Sequence, residues 1–184
     1  MKNDIAALQN RIAALERENA SLRAKVTFFD RSPWMREGIR GEQVIAQIIG
    51  GTTTVVNERF DVLTASGQVR LEVKYSNLNT AVVNEATKRW QWVRILGFDQ
   101  RKSFDSLILI GEVDTRFQHL YRDPVSPYII FEIPFARLAE VLRHSQQMIQ
   151  ISSNPRKART PVARLLYSEF QTTRHALSNK YKTA

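Results

Sequence analysis

The segment RFDVLTASGQVRLEVKYS, Arg59 to Ser76, decides how the chain is read. Two apolar runs flank a Ser-Gly turn, the pattern of a β-hairpin. Yet Asp61, Glu72 and Lys74 stand inside runs that otherwise belong to a sheet core. With Ser66-Gly67 as a two-residue loop, Ala65 faces Gln68, residues whose numbers sum to 133 are opposed, and Asp61 lies across from Glu72. A four-residue loop from Ala65 to Gln68 leaves that pairing unchanged. The same register opposes Arg59 to Lys74, so it is expected to hold near the turn. Alternation along the second strand points Leu71, Val73 and Tyr75 one way and Glu72, Lys74 and Ser76 the other.

Like charges directly opposed on a sheet destabilise the pair. Two carboxylates held that close need a shared proton, a cation, or a strand that bends away. A divalent ion bound through oxygen, typically Mg²⁺, satisfies the requirement. The plainer alternative is a solvated sheet face that carries charge.

Composition narrows the classes. At 184 residues the chain has room for one sizeable core and a small appendage. It contains no cysteine, which excludes disulfides, zinc–thiolate sites and thiol nucleophiles. No stretch approaches the roughly 20 apolar residues of a membrane-spanning helix. The opening MKNDIAALQN has neither the basic nor the apolar region of a secretion signal, and the expectation is a cytoplasmic protein. The formal net charge is +9. From Arg143 onward, eight basic residues (Arg143, Arg156, Lys157, Arg159, Arg164, Arg174, Lys180, Lys182) face one acid, Glu169. A basic, partly flexible tail is an electrostatic footprint for nucleic acid.

The N-terminus carries heptads. Ile5, Leu8, Ile12, Leu15, Asn19, Leu22 and Val26 recur at alternating spacings of four and three. β-Branched residues at a and leucine at d favour a parallel two-stranded coiled coil, and the single Asn at a fixes its register. Arg11 opposite Glu16, and Glu18 opposite Arg23, are attractive pairs in a parallel homodimer. Residues 3–27 are therefore expected to form a dimerising coiled coil about 35 Å long.

Beyond it, Ser32-Pro33 reads as the start of a helix and Gly50-Gly51 as its stop, with Val44, Ile45, Ile48 and Ile49 as the buried stripe and Glu42 at its border. Strands are expected at TTVVNERF and VRLEVKYS, then a helix at NEATKRWQWVRILG, and a central strand at SLILIGEV. Pro124 and Pro127 mark a loop before the strand YIIFEI, and PFARLAEVLRH reads as a helix. Asn154 to Thr160 reads as a linker. Thr160 and Pro161 open a last helix to about Leu177, with a loose tail from Ser178. The division is a coiled coil over 3–27, a core domain over 32–150, and a basic linker, helix and tail over 151–184.

The order helix with Glu42, strand with Asp61, strand with Glu72-Val73-Lys74, helix with Gln91, strand resembles the PD-(D/E)XK nuclease superfamily. The resemblance covers roughly residues 37–113. It implies a mixed α/β fold with a restriction-endonuclease-like αβββαβ core, here with an N-terminal coiled-coil helix and a C-terminal basic helical extension. It further implies that Glu42, Asp61 and Glu72 bind Mg²⁺, with Mn²⁺ able to substitute, that Lys74 positions or activates the attacking water, and that Gln91 is a further catalytic residue. Phe60, not proline, precedes Asp61, a departure from the family's name-giving motif.

The resulting expectation is a homodimeric, Mg²⁺-dependent, site-selective endonuclease of double-stranded DNA, of restriction or homing type. A Holliday-junction-resolving nuclease and a catalytically silent dimeric DNA-binding protein are the alternatives. Tyr75, Ser76, Asn77 and Asn79 follow the site and are candidate DNA contacts by proximity. Lys88, Arg89, Arg156, Lys157 and Arg159 are candidates by charge. Trp90 and Trp92, set among Lys88, Arg89 and Arg94, either stack on bases or pack a core. His119, His144 and His175 lack metal-ligand spacing.

Overall fold

The structure is a computed structural model that describes residues 11–12, 15–20, 23, 33–54, 58–80, 88–96, 102–142 and 147–182. The chain divides into two compact units, residues 1–36 and 37–184. In the first, residues 11–12, 15–20 and 23 are helical, and Ile12 and Leu15 are exposed on the single chain. The other apolar a and d positions, Ile5, Leu8, Leu22 and Val26, lie outside the described residues.

Helix α1 (Pro33–Ile49) ends where expected. Gly50 takes the left-handed conformation, φ 69°, which closes the helix without the steric cost a side chain would bring. Ser32, the expected cap, is outside the described residues. Ile45 and Ile49 are fully buried, and Val44 and Ile48 pack beside them.

The second unit is mixed α/β, built on a mostly antiparallel sheet. Its six strands run in the order β1 (Thr52–Thr53), β2 (Val62–Leu63), β3 (Arg70–Ser76), β6 (Ser106–Glu112), β7 (Tyr128–Pro134), β9 (Gln171–Thr172). Among the described residues only β3 and β6 pair in parallel. A second, antiparallel sheet joins β4 (Asn79–Thr80), β5 (Lys88–Val93) and β8 (Met148–Ser152). Strand β6 is central and buried along nearly its whole length, as SLILIGEV suggested.

Alternation on the large sheet splits the core in two. Ile108, Ile110 and Ile130 face α1 together with Leu71, Val73 and Val62. Leu107, Leu109, Phe131 and Ile133 face the second sheet, where Trp90 and Trp92 are fully buried. The indole N–H groups donate to Glu112 O at 2.8 Å and Ile110 O at 2.9 Å, so both polar atoms are satisfied inside the core. Gly111 makes this possible, because a Cβ there would stand 2.7 Å from the Trp90 ring.

Several expectations are corrected. NEATKRWQWVRILG is no helix where it is described: residues 88–93 form β5, with Trp90 and Trp92 inward and Gln91 and Val93 outward, a period of two. TTVVNERF contributes only Thr53, the second residue of β1, to a strand within its described part, and Asp61 sits at a bend just before β2. In its described part PFARLAEVLRH forms a 3₁₀ turn, Phe135–Arg137, and a single α turn, α2 (Leu138–Val141).

The C-terminal segment is integral to the second unit. Strand β8 pairs with β5. Helix α3 (Pro161–Leu165) starts as read, with Thr160 Oγ1 accepting from Ala163 N at 3.1 Å, but passes through a π-helical turn into β9 rather than running on. Helix α4 (Arg174–Lys182) then buries Leu177 and Tyr181 against α1, and the Tyr181 hydroxyl donates to Glu132. The stretch from Ser178 to Lys182 is thus anchored, not loose.

Candidate functional site

The hairpin register is the one read from the turn. Val62 pairs with Leu71 and Leu63 with Arg70. The loop is the longer of the two considered: Thr64 N donates to Val69 O at 3.0 Å, and Gly67 turns the chain at φ 73°.

Strand β2 then stops one residue short of Asp61, leaving the edge of β3 open. Asp61 substitutes for the missing strand. Its backbone N–H donates to Leu71 O, and its Oδ2 accepts from Val73 N, both at 2.9 Å. A carboxylate that completes a ladder in this way is fixed in orientation, and its Oδ1 remains for other partners.

Glu72 is fully buried on the same edge. Lys74 donates to its Oε1 and lies 3.9 Å from Asp61 Oδ2. A second lysine, absent from the sequence reading, closes the cluster. Lys102 Nζ lies 3.0 Å from Asp61 Oδ1 and 2.9 Å from Glu72 Oε2. The first contact is a directed hydrogen bond, and the second is a close ion pair at a fully buried oxygen.

Lys102 is held by the loop that follows it. Ser103 N donates to Arg59 O at 2.9 Å, and Asp105 takes the Arg70 guanidinium at 3.0 Å on Oδ1 and 3.2 Å on Oδ2. Phe104 buries its ring against Phe135. The parallel register Leu71↔Ser106 brings this loop to the start of β3.

Glu42 comes from α1, which approaches β3 closely because Gly41 has no side chain: a Cβ there would lie 2.8 Å from Tyr75 Cβ. Burial pushes the Glu42 carboxyl up to about 7, with Asp61 and Glu72 adding to the rise and Lys74 and Lys102 opposing it. Glu72 is also raised, chiefly by burial. Burial lowers Lys102, but the attraction of Asp61 and Glu72 outweighs it and the ammonium is held above its ordinary value. Three carboxylates thus share two ammonium groups, and Glu42 is the acid left in excess.

Among the described residues no three carboxylates or histidines are already spaced as a metal cage. The donor set nevertheless suits a hard cation: the Asp61 and Glu72 carboxylates bracket a point now filled by the Lys102 ammonium, with Glu42 within electrostatic reach.

The other expected residues divide. Gln91 lies on β5, and its side chain donates to Met148 Sδ at 2.9 Å instead of reaching the carboxylates. Ser76 is buried, its hydroxyl accepting from Gln91 N at 2.9 Å. Tyr75 is packed beneath Arg40 and donates to Glu112 at 2.9 Å, and Asn77 donates to Glu37. Trp90 and Trp92 belong to the core. Arg156, Lys157 and Arg159 are exposed just past β8, and Ser153, bonded to Lys88 O at 2.9 Å through its N–H, brings them to the end of the sheet where Lys88 lies.

No protein-family model matches the chain, and comparison with curated proteins finds no match. Among the described residues no helix is long and apolar enough to cross a membrane.

Proposed function

We propose that the protein is a divalent-metal-dependent endonuclease of double-stranded DNA, acting as a homodimer joined through residues 3–27. The observation that carries this reading is the convergence of Glu42, Asp61, Glu72, Lys74 and Lys102, from four separate segments, on the open edge of β3.

Asp61 and Glu72 would hold the ion, with Glu42 completing the set. Mg²⁺ or Mn²⁺ bound there supplies Lewis acidity, a water of lowered pKa and charge neutralisation at phosphorus. The chain's own residues do the rest. The ladder bonds of Asp61 fix its carboxylate before any ligand arrives, so little reorganisation is required. Lys74 presents a cationic donor toward a phosphate oxygen or the attacking water. Lys102, bonded to the same acids, keeps the cluster from repelling itself while no other cation is bound. The basic residues at the end of the second sheet attract the phosphate backbone.

A parallel coiled coil would set two such sites about a two-fold axis, as a symmetric duplex target requires. Restriction, homing and Holliday-junction-resolving roles all share this arrangement. One observation favours a catalytically silent DNA-binding protein instead: Lys102 already bridges Asp61 and Glu72.

The test is incubation of the pure protein with supercoiled plasmid and with a four-way junction, in Mg²⁺ or EDTA, alongside Lys74→Ala and Glu72→Gln. Mg²⁺-dependent cuts lost in both variants support the enzyme. Binding without cleavage by the wild type would overturn it.

A further inference from the structure

Strands β5 and β8 bury one face, and among the described residues the other is half-buried to exposed. Trp90, Trp92, Ile149 and Ile151 point into the core. The register Arg89↔Ser152, Gln91↔Gln150, Val93↔Met148 places those six residues together on the outer face, and Asn79↔Arg89 adds Asn79. Val93 is 46 % and Met148 44 % exposed. The two apolar residues are thus exposed beside an array of guanidinium, amide and hydroxyl groups, and none of these seven residues is an acid.

We infer that this outer face is a base-reading surface for the major groove of duplex DNA. The inference rests on the nuclease reading and assigns its sequence selectivity. The residue types are those that base edges recognise: Arg to guanine, Asn or Gln to adenine, and apolar groups to the thymine methyl. A two-stranded β-ribbon fits the major groove, which is about 12 Å wide. Gln91, Arg89 and Gln150 have easily exchanged partners. Gln91 donates to a thioether sulfur, a weak acceptor, and Arg89 pairs with the neutral amide oxygen of Gln150, suitably oriented. Lys88, Arg156, Lys157 and Arg159 gather at one end of this sheet, where phosphates would flank the groove.

The face is also tied to the site. Gln91 N is bonded to Ser76 Oγ, two residues beyond Lys74 on β3. That separation along the strand is roughly 7 Å, or about two base-pair rises. Base contacts by Gln91 would therefore fall close to the bond being cut.

The test is selection of bound duplexes from a random pool in EDTA, followed by sequencing, for the wild type, Arg89→Ala, Gln91→Ala, Gln150→Ala and Lys157→Ala. The wild type should enrich a motif. Each of the first three variants should lose roughly 5- to 100-fold discrimination at one or two positions, with its melting temperature unchanged. Lys157→Ala should weaken binding evenly and keep the motif. An unchanged motif in all three face variants overturns the inference, as does a wild type that binds duplex without preference. Mg²⁺-dependent cutting by those same proteins shows that the nuclease reading survives such a failure. Absence of any duplex binding by the wild type defeats both.

Discussion

Raising the pH should destabilise this protein through Glu42, and the effect is large enough to isolate. Its carboxyl is moved from the ordinary 4.5 to about 7, first by burial and then by Asp61. The interval is about 2.5 pH units, and at 1.36 kcal/mol each the ionised form costs the fold about 3 kcal/mol. Below pH 4.5 Glu42 is protonated in both folded and unfolded chains and contributes no pH dependence. Between 4.5 and 7 the folded chain keeps a proton that the unfolded chain has lost, so stability falls as pH rises. Above about 7 the loss is complete. Glu42→Gln removes the titration while keeping the side chain's size. Urea unfolding at intervals from pH 4.5 to 8, in EDTA, should show the wild type losing about 3 kcal/mol relative to the variant across that window. Millimolar Mg²⁺ should flatten the wild-type curve, because a bound dication offsets the excess negative charge. Parallel curves for the two proteins in EDTA would refute the reasoning.

Three further outcomes follow from the packing. Lys102→Met strips Glu72 Oε2 and Asp61 Oδ1 of their cation and should cost about 3 kcal/mol in EDTA, with Mn²⁺ raising the melting temperature more than it does in the wild type. Gly111→Ala drives a Cβ to 2.7 Å from the rigid Trp90 ring and should cost about 1–3 kcal/mol, with a change in tryptophan fluorescence reporting the displaced indole. Leu177→Ala, at a fully buried position of α4, should lower urea stability by about 2–5 kcal/mol; a change within error would return the C-terminal helix to the status of a loose tail.

The hairpin was legible because its information is local. A Gly at the turn and alternating residues on both sides fix the register, and Asp61, Glu72 and Lys74 follow from it within sixteen residues of sequence. The end of α1 and the cap at Thr160 were legible for the same reason, since stop and start signals act within a turn. Lys102 was not, because its place depends on the parallel pairing of β3 with β6 and on the Arg70–Asp105 clamp, contacts that no local pattern announces. Strand β5 was misread because two tryptophans in a run of basic and polar residues fit a helical face as readily as a strand. Only the second sheet, which buries both rings, decides between them. Strand β8 and the anchoring of α4 escaped notice because a five-residue strand and a basic helix are weak signals until a partner surface is known.

Calorimetric titration of the DNA-free protein with Mn²⁺ asks whether the acids at the edge of β3 form a divalent-cation site. Saturable binding to the wild type, lost in Asp61→Asn and in Glu72→Gln and tighter in Lys102→Met, is the predicted result. No binding, or binding that all three variants retain unchanged, would contradict it.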